Sequence, residues 1–372
     1  MSRRAVPPIP PAQVRRLLVH GPNWIGDLVL ISPALRALRE RYPEAEIHLL
    51  ARGALADAVR GDPALDEVIR YDRAGEHRPP LGTLRLARAL RARRYDLAVL
   101  FPKSLEAALI ARLAGIPRRA GWKSDCRGLL ITHGRRMEAA DASLHHVRQF
   151  FEPARFAGAA PPADGGPSVS FHLGPEDREE ARRLLERSGL GGAPFLLALH
   201  AAASKPPRAW HPRRFAEAAD RVAGPRGGAV LLLGGPEDAR LCAQLRAALR
   251  SPHADLSGGT SVRAMAALAE RAHLFLGNDS GPMHLAAAVG TPVVALFGPG
   301  TPERTAPVAD PSRWRAVTRR YPCSPCRQDF FRECWAAFSG KPWCLEEIGV
   351  EEVVRACEEL LAAAGREGRT GP

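Results

Sequence analysis

Residues 16–27 read RLLVHGPNWIGD, and this stretch decides the fold class because a glycine turn joins a short apolar run to a helical pattern. The run at 16–20 ends at Gly21 and Pro22, which predicts a buried β-strand. Beyond Asp27 the apolar side chains recur at helical spacing, at Leu28, Ile31, Leu35 and Leu38. A strand that leads directly into a helix is the first step of a parallel α/β sheet.

The same alternation continues through the first half of the chain. Further strands are predicted at 46–51, 67–71 and 96–101, with helices at 81–93 and 104–114. Strands and helices that alternate through short connections favour a doubly wound parallel sheet with helices on both faces.

A stretch rich in Pro, Gly and Ala at 157–167 (AGAAPPADGGP) is typical of a linker, and the alternation restarts beyond it. The second half predicts strands at 195–201, 229–233, 274–277 and 293–297, and helices at 212–222, 237–249, 282–289 and 346–364. We therefore predict two Rossmann-like doubly wound domains, at 1–172 and 173–372, that face a central cleft. Ligands of open parallel sheets bind at the carboxyl ends of the strands, so the cleft is the expected site.

The composition excludes several classes of protein. With 372 residues, 45% hydrophobic and 25% charged, the chain is an ordinary globular protein rather than a disordered one. No apolar run approaches the ~20 residues of a membrane-spanning helix, and the basic N-terminus lacks the apolar stretch of a signal peptide. Seven cysteines, most of them in one short segment, argue against a disulfide scaffold and favour the cytoplasm.

The net charge of +13 comes almost entirely from arginine. Either it forms a solvated basic surface, or it attracts an anionic partner such as a nucleotide or a phosphorylated lipid. The arginines are scattered, without interleaved aromatic residues or a zinc-finger or RNA-recognition signature, so we predict no nucleic-acid partner.

Three strand ends carry residues suited to chemistry. Asp27 follows the first strand and is either a helix cap or a general base in the cleft. Residues 277–284 (GNDSGPMH) form a strand-to-helix turn whose free N–H groups suit a pyrophosphate, although a capped helix with a core histidine would look similar. Residues 203–210 (ASKPPRAW) place a hydroxyl beside a cation, which suits a diphosphate or is simply an exposed basic loop.

A cysteine cluster follows the last predicted strand, with thiols at Cys323, Cys326, Cys334 and Cys344. Four thiolates could bind zinc, but the second spacing is long for a zinc ribbon. We favour reduced, metal-free cysteines and keep zinc as the alternative.

Together these stretches resemble glycosyltransferase family 9, the heptosyltransferases, and most closely their ADP-heptose:lipopolysaccharide heptosyltransferase II branch. The resemblance spans about residues 17–354 and rests on 21–27 with Ser32 and Pro33, on 115–122, on 205–212, and on 278–284 with 297–299. It implies a GT-B fold and inverting transfer. The acceptor would bind the N-terminal domain and the nucleotide-sugar the C-terminal domain.

The resemblance also assigns roles to residues. Asp27 becomes the catalytic base, and the acceptor side comprises Asn23, Trp24, Gly26, Lys103 and Trp122. The donor side comprises Ser204, Lys205, Arg208, Glu237, Thr260, Asp279, Ser280, Gly281 and His284. Arg208 stands where the family usually has lysine, so either it or Lys205 meets the diphosphate.

We therefore predict a glycosyltransferase that moves heptose from ADP-L-glycero-D-manno-heptose to the inner core of lipopolysaccharide. It would need no cofactor, and it would contact the inner leaflet of the cytoplasmic membrane peripherally. A nucleotide-sugar epimerase of the same architecture, a family 9 transferase with another donor or acceptor, and a non-catalytic binding protein remain alternatives at this stage.

Overall fold

The computed structural model describes residues 8–161, 168–324, 326, 328–332 and 334–367. The chain divides into two compact units, Met1–His172 and Leu173–Pro372. Residues 1–7 of the basic N-terminal segment and residues 162–167 of the expected linker lie outside the described residues.

The first unit is built on a five-stranded parallel sheet in the order β3-β2-β1-β4-β5. Its strands are β1 (Arg16–His20), β2 (Glu46–Arg52), β3 (Glu67–Tyr71), β4 (Leu97–Leu100) and β5 (Arg118–Gly121). Its helices are α1 (Ile25–Leu30), α2 (Ser32–Arg41), α3 (Gly53–Ala58), α4 (Leu81–Ala92), α5 (Leu105–Leu113), α6 (Ala139–Ser143) and α7 (His146–Phe156).

The helix expected beyond Asp27 is two helices, α1 and α2, that meet at Ile31. Pro33 has no N–H to donate to the carbonyl of Val29, so the helical ladder breaks there. The Ser32 hydroxyl donates to that carbonyl instead, at 2.8 Å.

The second unit holds a six-stranded parallel sheet in the order β11-β10-β9-β6-β7-β8. Its strands are β6 (Leu196–His200), β7 (Ala229–Leu232), β8 (His253–Asp255), β9 (Leu274–Asn278), β10 (Val293–Phe297) and β11 (Trp314–Thr318). Its helices are α8 (Pro175–Arg187), α9 (Pro212–Ala223), α10 (Ala239–Ala248), α11 (Val262–Arg271), α12 (Gly281–Ala288), α13 (Pro302–Thr305), α14 (Trp343–Glu346) and α15 (Val350–Glu367).

The central strands of both sheets are buried, and their registers gather the loops that follow them. In the first unit His20 pairs with both Leu50 and Leu100, so β1, β2 and β4 end side by side. In the second unit His200 pairs with Gly277, so the loops after β6 and β9 are neighbours. Each sheet thus presents one polar carboxyl edge, where α/β proteins bind ligands.

Candidate active site

Asp27 is the third residue of α1, at the carboxyl edge of the first sheet. Trp24 occupies the N-cap position and no side chain caps this helix, so the interpretation of Asp27 as a helix cap is wrong. Burial raises the pKa of the Asp27 carboxyl to about 6, although the nearby Lys103 ammonium acts in the opposite direction. A carboxylate of that pKa is a competent general base near neutral pH.

Positive charge surrounds this edge. Burial first, and then the guanidinium groups of Arg52 and Arg127, lower the pKa of His20 to about 3, so its imidazole is neutral. The Arg52 guanidinium also lies 5.4 Å from the ring centre of Tyr71. With Lys103 beside Asp27, these cations make the edge suited to an anionic ligand.

Arg127 is a residue that the sequence did not single out. Its side chain is fully buried, and its Nε donates to the carbonyl of Trp122 at 2.9 Å. Its Nη1 donates to the carbonyls of Ser104, at 3.3 Å, and of Pro102. Burial lowers the pKa of Arg127 to about 10, which leaves it charged at neutral pH. Arg127 therefore ties the segment after β5 to the loop that carries Lys103.

The other acceptor-side predictions divide by exposure. Asn23 is exposed, Trp24 is 65% exposed, and Gly26 is buried in α1. Trp122 is only 1% exposed, and its indole N–H donates to the carbonyl of Gln149 at 3.3 Å. Its ring also packs edge-on against Phe156. The acceptor role predicted for its side chain is therefore wrong, because Trp122 belongs to the core.

At the edge of the second sheet, Arg208 and Asp279 form an ion pair. Arg208 Nη2 lies 2.9 Å from Asp279 Oδ2 and also donates to the Asp279 carbonyl at 3.0 Å. Burial raises the pKa of Asp279, and Arg208 acts against that rise. The pair joins the turn after β9 to the loop after β6, so Asp279 positions Arg208 at this edge.

Ser280 lies at the N-cap of α12, but its hydroxyl makes no capping hydrogen bond. Its Oγ is 3.3 Å from His200 Nδ1, and His200 Nε2 is 3.7 Å from Asp238 Oδ2. The imidazole thus presents Nδ1 to the serine and Nε2 to the carboxylate, the reverse of the arrangement in serine hydrolases. His200, with Asp238 behind it, positions the Ser280 hydroxyl at the N-terminus of α12. Neither His200 nor Asp238 was predicted from the sequence.

Asn278, the last residue of β9, is hydrogen-bonded to the loop after β6. Its Nδ2 donates to the carbonyl of Ala201 at 2.7 Å, and its Oδ1 accepts from the backbone N–H of Trp210 at 3.0 Å. Ser204 and Lys205 are exposed between these anchored ends. Lys205 Nζ lies 3.5 Å from the carbonyl of Gln328, so the structure directs it toward the cysteine-rich segment and Arg208 toward the turn after β9.

The remaining predicted donor residues lie at the same carboxyl edge or just inside it. Glu237 is exposed in the turn after β7, and Thr260 follows β8. Those two loops approach closely, because Gly258 has φ of +69° and a Cβ there would lie 3.2 Å from Pro236 Cα. Gly281 begins α12, and His284 is buried within its first turns.

The predicted cysteine cluster comes together in space. All four thiols line one cavity of about 280 Å³ with Trp335 and Trp343, and all are free thiols. Burial and the neighbouring thiols raise the pKa of Cys344 to about 12. Within the part of the chain that the structure describes, no group of three or more His, Cys, Asp or Glu side chains is arranged to hold a metal ion.

Comparisons with known proteins agree with this architecture. The model of glycosyltransferase family 9 (heptosyltransferase) matches residues 83–334. The lipopolysaccharide heptosyltransferase 2 of Salmonella typhimurium is 30% identical over 310 residues, which cover 80% of this chain and 87% of that protein. The lipooligosaccharide heptosyltransferase 2 of Haemophilus influenzae is 30% identical over 303 residues, which cover 79% and 86%.

Solved structures show the same fold. The ADP-heptose lps heptosyltransferase II of E. coli superposes with a TM-score of 0.77 at 25% identity, over 94% of this chain and 99% of that one. A family 9 glycosyl transferase from Veillonella parvula gives a TM-score of 0.81 at 24% identity, over 94% and 97%. The predicted fold of two parallel-sheet α/β domains is confirmed.

Proposed function

The chain belongs to glycosyltransferase family 9, and from this premise we propose that it transfers heptose from ADP-heptose to a sugar hydroxyl of the lipopolysaccharide inner core. The single observation that carries the mechanism is the environment of Asp27, a carboxyl at the edge of the first sheet whose pKa burial raises to about 6. No cofactor takes part in this chemistry.

Asp27 acts as the general base. It removes the proton from the acceptor hydroxyl as that oxygen attacks the anomeric carbon of the donor sugar. The new bond joins the acceptor oxygen to this carbon, the bond from the carbon to the diphosphate oxygen breaks, and ADP leaves with the bonding electrons. Attack on the face opposite the leaving group inverts the anomeric centre. General-base assistance of this kind typically contributes ~10²–10⁴-fold to the rate.

The second unit binds the nucleotide diphosphate. The N-terminus of α12 offers the backbone N–H groups of Ser280 and Gly281, and the Ser280 hydroxyl adds a further donor. Arg208, held by Asp279, supplies the positive charge closest to this turn, and Lys205 supplies a second charge if its exposed chain swings toward the ligand. These groups offset the charge that develops on the leaving ADP, so the proposed reaction requires no metal ion.

The acceptor binds at the edge of the first sheet. Arg52, Lys103 and Arg127 surround it with positive charge, which suits the anionic groups of a phosphorylated inner core. No helix among the described residues has both the length and the apolar character of a membrane span. We propose that the protein works in the cytoplasm and contacts the inner leaflet peripherally, since its acceptor is a membrane lipid.

An activity screen tests this function. Purified protein would be mixed with ADP-heptose, and separately with other ADP- and UDP-sugars, and with lipopolysaccharide cores truncated before and after the first heptose. We expect mass spectrometry to show one added heptose, only with ADP-heptose and only on a core that already carries heptose. Conversion of the nucleotide-sugar without any acceptor would support an epimerase instead. If no core gains a sugar from any donor, the proposal fails.

A further inference from the structure

Helix α5 is apolar on both of its sides. Its inner side is buried, with Ile110 at 1% exposure. Its outer side carries Leu105, Leu109 and Leu113, which are 48%, 37% and 37% exposed. A spacing of four residues stacks these leucines along one face of the helix. A stripe of exposed leucines of this kind is suited to a partner rather than to water.

Helix α4 packs beside α5 and extends the apolar surface. Leu81 is 73% exposed and Leu84 is 48% exposed, both at the beginning of α4. Between the two helices runs a groove of about 460 Å³ that Leu84 and Leu113 help to line. Leu81 also lines this groove, and Leu105 and Leu109 add exposed apolar surface on α5. An apolar patch of this kind marks an interaction site.

Arginines outnumber acidic residues around this patch; exposed Glu76 lies nearby, where its backbone carbonyl accepts a hydrogen bond from Arg85 Nη1 at 3.0 Å. Arg85, Arg88 and Arg91 are exposed on the outer side of α4, which contains no Asp or Glu in its sequence. Exposed Arg112 lies on α5. Glu106, the acidic residue of α5, accepts a hydrogen bond from Arg73 Nε at 2.7 Å, so its charge is already compensated.

The patch reaches the edge where the acceptor is proposed to bind. In a parallel α/β sheet the crossover helices run opposite to the strands, so their N-termini lie at the carboxyl edge. Leu81, Leu84 and Leu105 all belong to first turns of their helices. Lys103 lies two residues before Leu105, in the same loop that faces Asp27.

We propose that the exposed leucines and arginines of α4 and α5, which we call the leucine–arginine face, dock on an anionic phospholipid surface. Leucine side chains enter the boundary between headgroups and acyl chains, while arginine side chains extend to the lipid phosphates. A second copy of the chain fits this face poorly, because a two-fold contact would set the arginines of α4 against themselves. The inference locates the peripheral membrane contact of the proposed function, and it presents the acceptor edge to the bilayer.

Sedimentation with vesicles tests the inference. The full chain is mixed with vesicles of equal parts phosphatidylglycerol and phosphatidylethanolamine, and with vesicles of phosphatidylcholine. We expect binding to the anionic vesicles that weakens at high salt, and little binding to phosphatidylcholine. Leu84→Glu with Leu109→Glu, both on exposed positions, should lower the partition coefficient at least about tenfold. Arg85→Gln with Arg88→Gln should remove most of the salt dependence.

The matched control is Leu129→Glu, because Leu129 is fully exposed in the same unit but lies outside α4 and α5. It should bind vesicles like the unaltered protein. An equal loss of vesicle binding in Leu129→Glu would overturn the inference. Unchanged vesicle binding in the variant that combines Leu84→Glu with Leu109→Glu would also overturn it. So would a dimer in analytical ultracentrifugation that the double variant dissociates.

A second assay separates this inference from the proposed function. The variant that combines Leu84→Glu with Leu109→Glu should transfer sugar normally to a delipidated, water-soluble core oligosaccharide. It should transfer sugar poorly to the same core embedded in vesicles. Equal turnover of the double variant on both acceptors contradicts the docking face alone. Absence of transfer by the unaltered protein on both acceptors contradicts the proposed function instead, while vesicle binding still tests the face.

Discussion

Each of the two sheets ends in a polar edge that holds one aspartate with a raised pKa, but the two carboxyl groups have different partners. At the edge of the first unit, burial outweighs the pull of Lys103 and the pKa of Asp27 rises to about 6. At the edge of the second unit, buried Asp279 lies 2.9 Å from Arg208 and is held in an ion pair. Burial raises the pKa of both carboxyls, so the difference lies in their partners. Asp279 Oδ2 lies 2.9 Å from Arg208 Nη2 and positions that cation, whereas Lys103 acts on Asp27 only through its nearby charge. We therefore expect chemistry at one edge and anion binding at the other.

Replacing Asp27 should have the largest effect on activity, because it removes the proposed base from the edge of the first sheet. Asp27→Asn keeps the shape of the side chain but removes its basicity, so we expect transfer to fall by ~10²–10⁴-fold while ADP binding is retained. The control is Asp57→Asn, because exposed Asp57 pairs with Arg70 at 2.6 Å and should be dispensable for turnover. Near-normal turnover of Asp27→Asn would show that another group accepts the proton.

Breaking the ion pair of the second edge should have the next largest effect. Arg208→Met leaves Asp279 buried without its cation, so we expect the free energy of unfolding to fall by about 2–4 kcal/mol and ADP affinity by about 10–100-fold. Adding Asp279→Asn should restore much of the stability but not the affinity, because the charge that meets the diphosphate is still missing. Calorimetry with ADP and denaturant titrations measure both. Full recovery of affinity in the double variant would exclude Arg208 as the diphosphate contact.

The raised pKa of Asp27 also predicts a pH-dependent stability. In the folded chain Asp27 holds its proton up to a pH of about 6, whereas its ordinary pKa is 3.8. Between those values the folded state binds more protons, so Asp27 lowers stability as the pH rises, and the penalty is complete above about pH 6. Asp27→Asn should therefore be more stable by about 1–3 kcal/mol at neutral pH, with the gain shrinking toward pH 4. A gain that is the same at both pH values would refute the raised pKa.

Removing a single donor from the anion site should have a smaller effect. Ser280→Ala loses the hydroxyl that lies 3.3 Å from His200 Nδ1, and we expect ADP affinity to fall about 2–10-fold with the acceptor KM unchanged. Ser188→Ala is the control, since its hydroxyl donates to the Leu184 carbonyl at 2.6 Å, on α8. Unchanged ADP affinity in Ser280→Ala would make the serine purely structural.

The smallest expected effect concerns the cysteine cavity. We propose that its four thiols stay reduced and metal-free, so dialysis against a chelator should leave transfer and folding unchanged. Elemental analysis of protein purified without chelator checks this. About one zinc or iron per chain, lost together with activity in Cys344→Ser, would contradict the proposal and would place a metal site beside Lys205.

The sequence predicted the sheets best where strands are apolar on both sides. The core of β1, β4, β6, β9 and β10 consists of consecutive apolar residues, and each of these strands lies near its predicted position. Strand β5 (RRAG) was missed because two arginines obscure it. The Arg119 side chain is buried, and its Nε donates a hydrogen bond to the carbonyl of Leu130 at 2.6 Å. Composition alone does not reveal that an arginine in a strand is buried in this way.

The candidate site was predictable only in part, for a similar reason. Asp27 and Ser280 could be located because each follows a central strand and adjoins a glycine at the beginning of the next helix. The partner of Ser280 could not, since His200, whose Nδ1 lies 3.3 Å from the serine hydroxyl, is 80 positions away in the sequence. The outer leucines of α5 were equally hidden, because helical periodicity marks apolar residues without telling which side of an apolar helix meets the sheet.

The buried guanidinium of Arg127 has a consequence for protein engineering. Because it binds carbonyls from both the loop after β4 and the segment after β5, those two segments share one anchor. Grafting either loop alone from a relative would leave the anchor mismatched, so acceptor preference cannot be redesigned one loop at a time. Among related sequences we expect the loop after β4 and the segment after β5 to change together, with the arginine that binds both of them.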